Sequence, residues 1–160
     1  MNQATQYTSL TLNYPNIYTL IGEWNAEPLS KYGMVFTLIV IGIIAYYAFD
    51  KIDGVDFDSI ISLSLLTISI CVFLLPHMHE RYGYLLDILS VIYAVRNPKK
   101  CIYSIAMVLI SLLAYGPFLF GYQPIPSYYI AIALLLCIIF IAKECMNNLV
   151  YQSIDSKKLD

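Results

Sequence analysis

The chain has 160 residues, of which 59% are hydrophobic and only 12% charged, with a mean hydropathy of +0.69. A soluble domain is about 45–50% apolar and about 25% charged, and a domain this small buries only about 70% of its unfolded surface. Water is therefore excluded as the solvent for most of the chain, and so is disorder. Nine basic against eleven acidic residues give a net charge of −2. No basic stripe exists, which excludes nucleic acid as a partner.

In chain order, residues 1–32 read as a polar outer-loop segment. They have neither the basic start nor the apolar core of a signal peptide. Residues 33–142 read as a transmembrane helical bundle, because a bilayer core of about 30 Å needs about 20 apolar residues per helix. The apolar runs are Gly33–Phe49, Ser59–Leu75, Tyr82–Val95, Cys101–Phe120 and Ser127–Ala142. Pro76 stops the second, and Gly116-Pro117 breaks the fourth near its end. The third is short and reaches spanning length only if its helix begins near His77, just after Pro76. The expectation is one all-α integral membrane domain of about five spanning helices. Residues 143–160 form a tail, amphipathic or frayed. Cys71, Cys101, Cys137 and Cys145 contain no CxxC pair and read as small apolar side chains.

Orientation follows from Lys and Arg in short loops. Arg96–Lys100 reads RNPKK, with three basic residues and no acid, which places it in the cytoplasm. Alternation then puts 76–81, 121–126 and 1–30 outside, and 50–58 and the tail inside. Lys143, Lys157 and Lys158 agree with this. Trp24, Tyr32, Tyr82, Tyr84, Tyr122, Tyr128 and Tyr129 fall near the boundaries, as an aromatic belt does.

One stretch carries chemistry: PHMHERYGYLLD, Pro76 to Asp87. It holds both histidines and one of the two arginines. A helix from His77 would set Glu80, Tyr84 and Asp87 near one face, with His77, Arg81 and Tyr84 on a neighbouring one. Gly83 would let another backbone approach closely. Asp87 would lie within the membrane, where an ionisable group costs roughly 2.5–3.5 kcal/mol on insertion scales and marks a functional site. The alternative is that it bonds a polar group of a neighbouring helix. Arg81 can take a phosphate bidentately, or it can snorkel to a lipid head group. A metal fits poorly, because catalytic zinc needs three protein ligands and alternate residues of a helix do not face one point.

PHMHERYGYLLDILSVIYA resembles the P-x-M-H-E-R-Y…D-x-L-x-x-x-Y segment near the C-terminus of bacterial membrane mannosyltransferases. These are GT-C fold enzymes related to the second mannosyltransferase of GPI-anchor assembly. It is similar, more distantly, to a His-x-His-Glu-Lys segment of lipid-linked glucosyltransferases. Upstream, SLTLNYPNIYTLIG, Ser9 to Gly22, resembles an outer-loop segment of the same bacterial enzymes. The resemblance implies inverting sugar transfer from a polyprenyl-phosphate donor on the outer face of a bacterial cell membrane. It implies donor-phosphate binding by Arg81 and His79, oriented by Glu80, and a sugar or lipid path lined by Tyr82 and Tyr84. His77 joins the donor-binding set, and Asp87 supports the helix from inside. No cofactor or metal is implied.

GT-C enzymes are much longer, and their catalytic aspartate lies in a first outer loop with no counterpart here. The expectation is therefore a C-terminal donor-binding part that is inactive alone and carries no catalytic residue of its own. It would have membrane lipid around it and an N-terminal half encoded upstream. Two other readings stand beside it. One is a small non-enzymatic membrane subunit packing on a larger partner through Gly42, Ser62, Ser64 and Ser69. The other is a transporter half with Asp87 on the path.

Overall fold

The computed structural model describes residues 9–22, 25–51 and 56–156. Trp24 of the expected aromatic belt, and Lys157 and Lys158 of the tail, lie outside them. The elements are β1 (Thr11–Leu12), α1 (Ile17–Ile21), α2 (Ala26–Lys51), α3 (Phe57–Leu74), β2 (Met78–His79), α4 (Tyr84–Arg96), α5 (Cys101–Phe120) and α6 (Ser127–Ser156). Two 3-10 turns, Glu80–Gly83 and Pro98–Lys100, flank α4. The fold is an all-α bundle, with a two-residue parallel pairing between β1 and β2 as its one sheet among the described residues.

Among the described residues, four helices are long and apolar enough to cross a membrane: Ala26–Asp50, Phe57–Leu74, Pro98–Phe120 and Ser127–Leu149. This corrects the expected five. The third apolar run does not start a helix near His77. His77 sits at φ 59°, in the left-handed region, and the next two residues pair with β1. That leaves α4 with 13 residues, about 20 Å of helix against a bilayer core of about 30 Å.

The other helix ends have local causes. Asp56 caps α3 by accepting from Ser59 N at 2.7 Å. α5 runs through Pro117 and ends on Gly121 at φ 63°, a left-handed C-terminal residue that favours glycine. The expected break at Gly116-Pro117 is therefore absent. α2 starts seven residues before the expected span, and α6 continues past Ala142 to Ser156.

The core joins α3, α4, α5 and α6 through Leu65, Leu66, Leu86, Met107, Leu134 and Ile138. Its hydroxyls turn back on their own helices: Ser62 to Ser59 O, Thr67 to Leu63 O and Ser69 to Leu65 O. Ser62 and Ser69 are thus inside the bundle, which removes them from the expected partner-facing surface. Gly42 is exposed. All four cysteines are free.

Candidate functional site

The N-terminal segment folds back over the end of the bundle where α3 finishes and α4 begins. Main-chain pairing aligns Thr11 with Met78 and Leu12 with His79, and Asn13 bridges His79. His77 N donates to Leu10 O at 2.8 Å. The His77 ring links three pieces of chain. Its Nδ1 stands 2.7 Å from Ser9 O, so it donates, and its Nε2 stands 3.2 Å from Ser30 Oγ at the start of α2. His77, expected in the donor-binding set, therefore works as a clamp. The strained backbone at this residue is stored where two segments 68 positions apart are tied together.

Two tyrosines complete the attachment, each seated on a glycine. The Tyr14 ring is buried against Gly83, where an added Cβ would lie 2.6 Å from its Cε2. The Tyr18 hydroxyl lies over Gly33, where a Cβ would be 1.8 Å away, and donates to Leu74 O at 3.0 Å. Asn16 is fully buried and caps α1, accepting from Tyr18 N and Thr19 N. The run NYPNIY is thus explained locally by one buried ring and one helix cap.

Inside this cap lies a set of polar groups left without hydrogen bonds: Glu80 Oε2, Asp87 Oδ1 and Ser111 Oγ. Ser111 is 2% exposed and also touches the Gly83 position. It faces Asp87 without closing a hydrogen bond of normal geometry. Burial, and after it the Asp87 and Tyr115 groups, pushes the Tyr14 phenol well above its usual value, so it stays protonated. Tyr115 stands close enough to Glu80, Asp87 and Arg81 to feel their charges. Asn16 Nδ2 in the covering segment is unpaired as well. Buried polar groups are normally satisfied, so these orphans set the cap apart as a polar site with unmet acceptors and donors.

The remaining motif residues point elsewhere. His79 lies edge-on to Tyr82, ring centres 5.8 Å apart, with Nδ1 3.9 Å from Glu80 Oε2. That separation is too long for a hydrogen bond. Arg81 is exposed and makes no ion pair among the described residues. Tyr82 and Tyr84 are 50% and 65% exposed, on the outside of the bundle. Tyr84, 65% exposed, does not share the face of Glu80 and Asp87, whose unpaired oxygens are buried. Among the described residues no cluster of three metal-ligating side chains occurs.

Tyr14, Ser111 and Tyr115 escaped the sequence reading. A signal existed for the last two. Ser104, Ser111 and Tyr115 recur at helical spacing on one stripe of an otherwise apolar helix, and Ser104 donates to Ser90 O of α4. No family model matches the sequence, and neither a curated protein nor a solved structure matches it.

Proposed function

We propose that the chain binds a polyprenyl-phosphate-linked sugar at this cap, as the donor-binding part of an inverting mannosyl transfer at the outer face of a bacterial membrane.

 The cap binds the donor, mannose being the sugar the resemblance implies, and the donor's phosphate meets Arg81. One observation carries the reading. The two segments that resemble the glycosyltransferases, Ser9–Gly22 and Pro76–Ala94, lie far apart in sequence, yet they are paired main chain to main chain around one polar cap. Beside that cap stands the exposed guanidinium of Arg81, without an ion pair among the described residues, whose fork suits a phosphate. Glu80 and Asp87, with unmet acceptors, suit the hydroxyls of a sugar.

The test is binding by the purified full chain in lipid nanodiscs, read by native mass spectrometry. Polyprenyl-phosphate mannose should be retained and the matching polyprenol should not. Arg81→Ala should lower retention at least tenfold, since a hydrogen bond to a charged group contributes about 1.5–3 kcal/mol. Equal retention of the phosphate and the alcohol, or an Arg81→Ala variant equal to the parent, overturns the reading.

A second reading, a small subunit of a larger membrane assembly, is favoured by α2, of which only 11% of the spanning window is buried. It predicts that Gly42→Ile, on the open face of α2, reduces the assembled mass on size exclusion from native membranes while Arg81→Ala does not. An unchanged mass for Gly42→Ile counts against it.

A further inference from the structure

The end of the bundle opposite the cap holds a second candidate site, independent of the function proposed above. Between the last turns of α4 and the first half of α5 runs an open apolar groove of about 570 Å3. Its walls include Ala94, Val95, Pro98, Ile105, Val108 and Leu109. Its floor is closed by the hydroxyl of Ser104, which donates to Ser90 O. Several walls face outward, with Val95 74% and Leu109 52% exposed.

Depth identifies the occupant. From Pro98 to Leu109 the groove covers about 17 Å along the helix. That is close to one leaflet, half of a bilayer core of about 30 Å. A partner helix crossing the membrane would need the full thickness, whereas the acyl chain of a phospholipid needs one leaflet. The groove also begins at the basic turn. Arg96 and Lys100 are engaged there, Arg96 with Asp58 at 2.6 Å and Lys100 with Glu144. Lys99, next to Pro98 at the mouth, is exposed and makes no ion pair among the described residues. A free cation at the mouth of a one-leaflet apolar groove is complementary to an anionic head group above an acyl chain.

We infer that this groove is a specific binding site for an anionic phospholipid, with the chain between α4 and α5 and the phosphate at Lys99. The full-length protein, purified in detergent and stripped of lipid, is titrated with phosphatidylglycerol, with phosphatidylcholine of the same chains, and with glycerol phosphate. Bound lipid is counted by native mass spectrometry. Phosphatidylglycerol should be retained several-fold more than phosphatidylcholine, and glycerol phosphate should not be retained. Lys99→Gln should remove the preference for the anionic head group. Ala94→Phe, which fills the groove, should reduce retention of both lipids; circular dichroism checks that the helices persist. Lys99→Gln carries the test by itself if Ala94→Phe does not fold. Equal retention of the two phospholipids means an ordinary lipid annulus and overturns the inference. Retention of glycerol phosphate, or a Lys99→Gln variant that keeps the preference, overturns it as well.

Discussion

The two ends of the bundle treat their polar groups in opposite ways. At the RNPKK end, charges from different elements are matched: Arg96 with Asp58, and Lys100 with Glu144. The Arg96 guanidinium also lies over the Phe57 ring, and its hydrogen bond to Asp58 raises its pKa. At the cap end, Arg81 makes no ion pair among the described residues, and Glu80, Asp87 and Ser111 keep polar atoms without partners. Ion pairs between helices tie one end together and leave Lys99 as its exposed cation without an ion pair among the described residues, whereas at the other end polar atoms under a tied-down segment stay unmet. The cap nevertheless holds its shape, because main-chain pairing, two seated tyrosines and the His77 clamp fix it without using those groups.

This contrast can be broken from the cap side first. Gly83→Val should have the largest effect, because any side chain there collides with the Tyr14 ring and crowds Ser111. Expelling a buried aromatic ring costs roughly 3 kcal/mol. The N-terminal segment should then detach, read as faster amide exchange across residues 10–14 and 77–79. Unchanged exchange would show that the ring does not rest on Gly83. His77→Ala comes next. It removes two side-chain hydrogen bonds, about 1 kcal/mol each, and should loosen the same amides to a lesser degree while α3 to α6 keep their protection. At the far end, Lys100→Gln should cost less than about 1 kcal/mol, so its thermal midpoint should stay close to the parent's. A large drop there would mean that the matched end, and not the cap, holds the bundle.

The smallest effect concerns pH. Tyr14 has its pKa raised by burial, so its contribution to stability is fully present below the unfolded value of about 10. It is lost as the pH rises beyond that, when the unfolded chain ionises first. In a spectrophotometric titration, Tyr14→Phe should therefore leave the ionisation step near pH 10 unchanged. The disappearance of one tyrosine's absorbance from that step would place Tyr14 in water.

Much of the bundle is legible in the sequence. The run Cys101–Phe120 matches α5 residue for residue, because RNPKK precedes it and a glycine free to turn left-handed follows it. What misled was the region after Pro76. Apolar periodicity from Tyr82 onward predicts a helix, but it carries no sign that Met78 and His79 pair with residues 67 positions earlier. Two-residue strands have no period to detect. The motif itself stood out by composition, since histidine, glutamate and arginine are rare in such a chain. The split of roles within it did not: His77 ties the backbone, Tyr82 and Tyr84 face outward, and Asp87 meets Ser111 from a different helix. Those partners lie in other elements, and local spacing cannot name them.

The most direct test of the cap is a disulfide between its two segments. Thr11→Cys and Met78→Cys place thiols at directly paired positions, within the reach of a disulfide. In membranes the double variant should cross-link efficiently, and adding Gly83→Val should abolish most of the product. Thr11→Cys alone, with only the native cysteines available, sets the background. Cross-linking of the double variant at that background would contradict the pairing on which the cap depends.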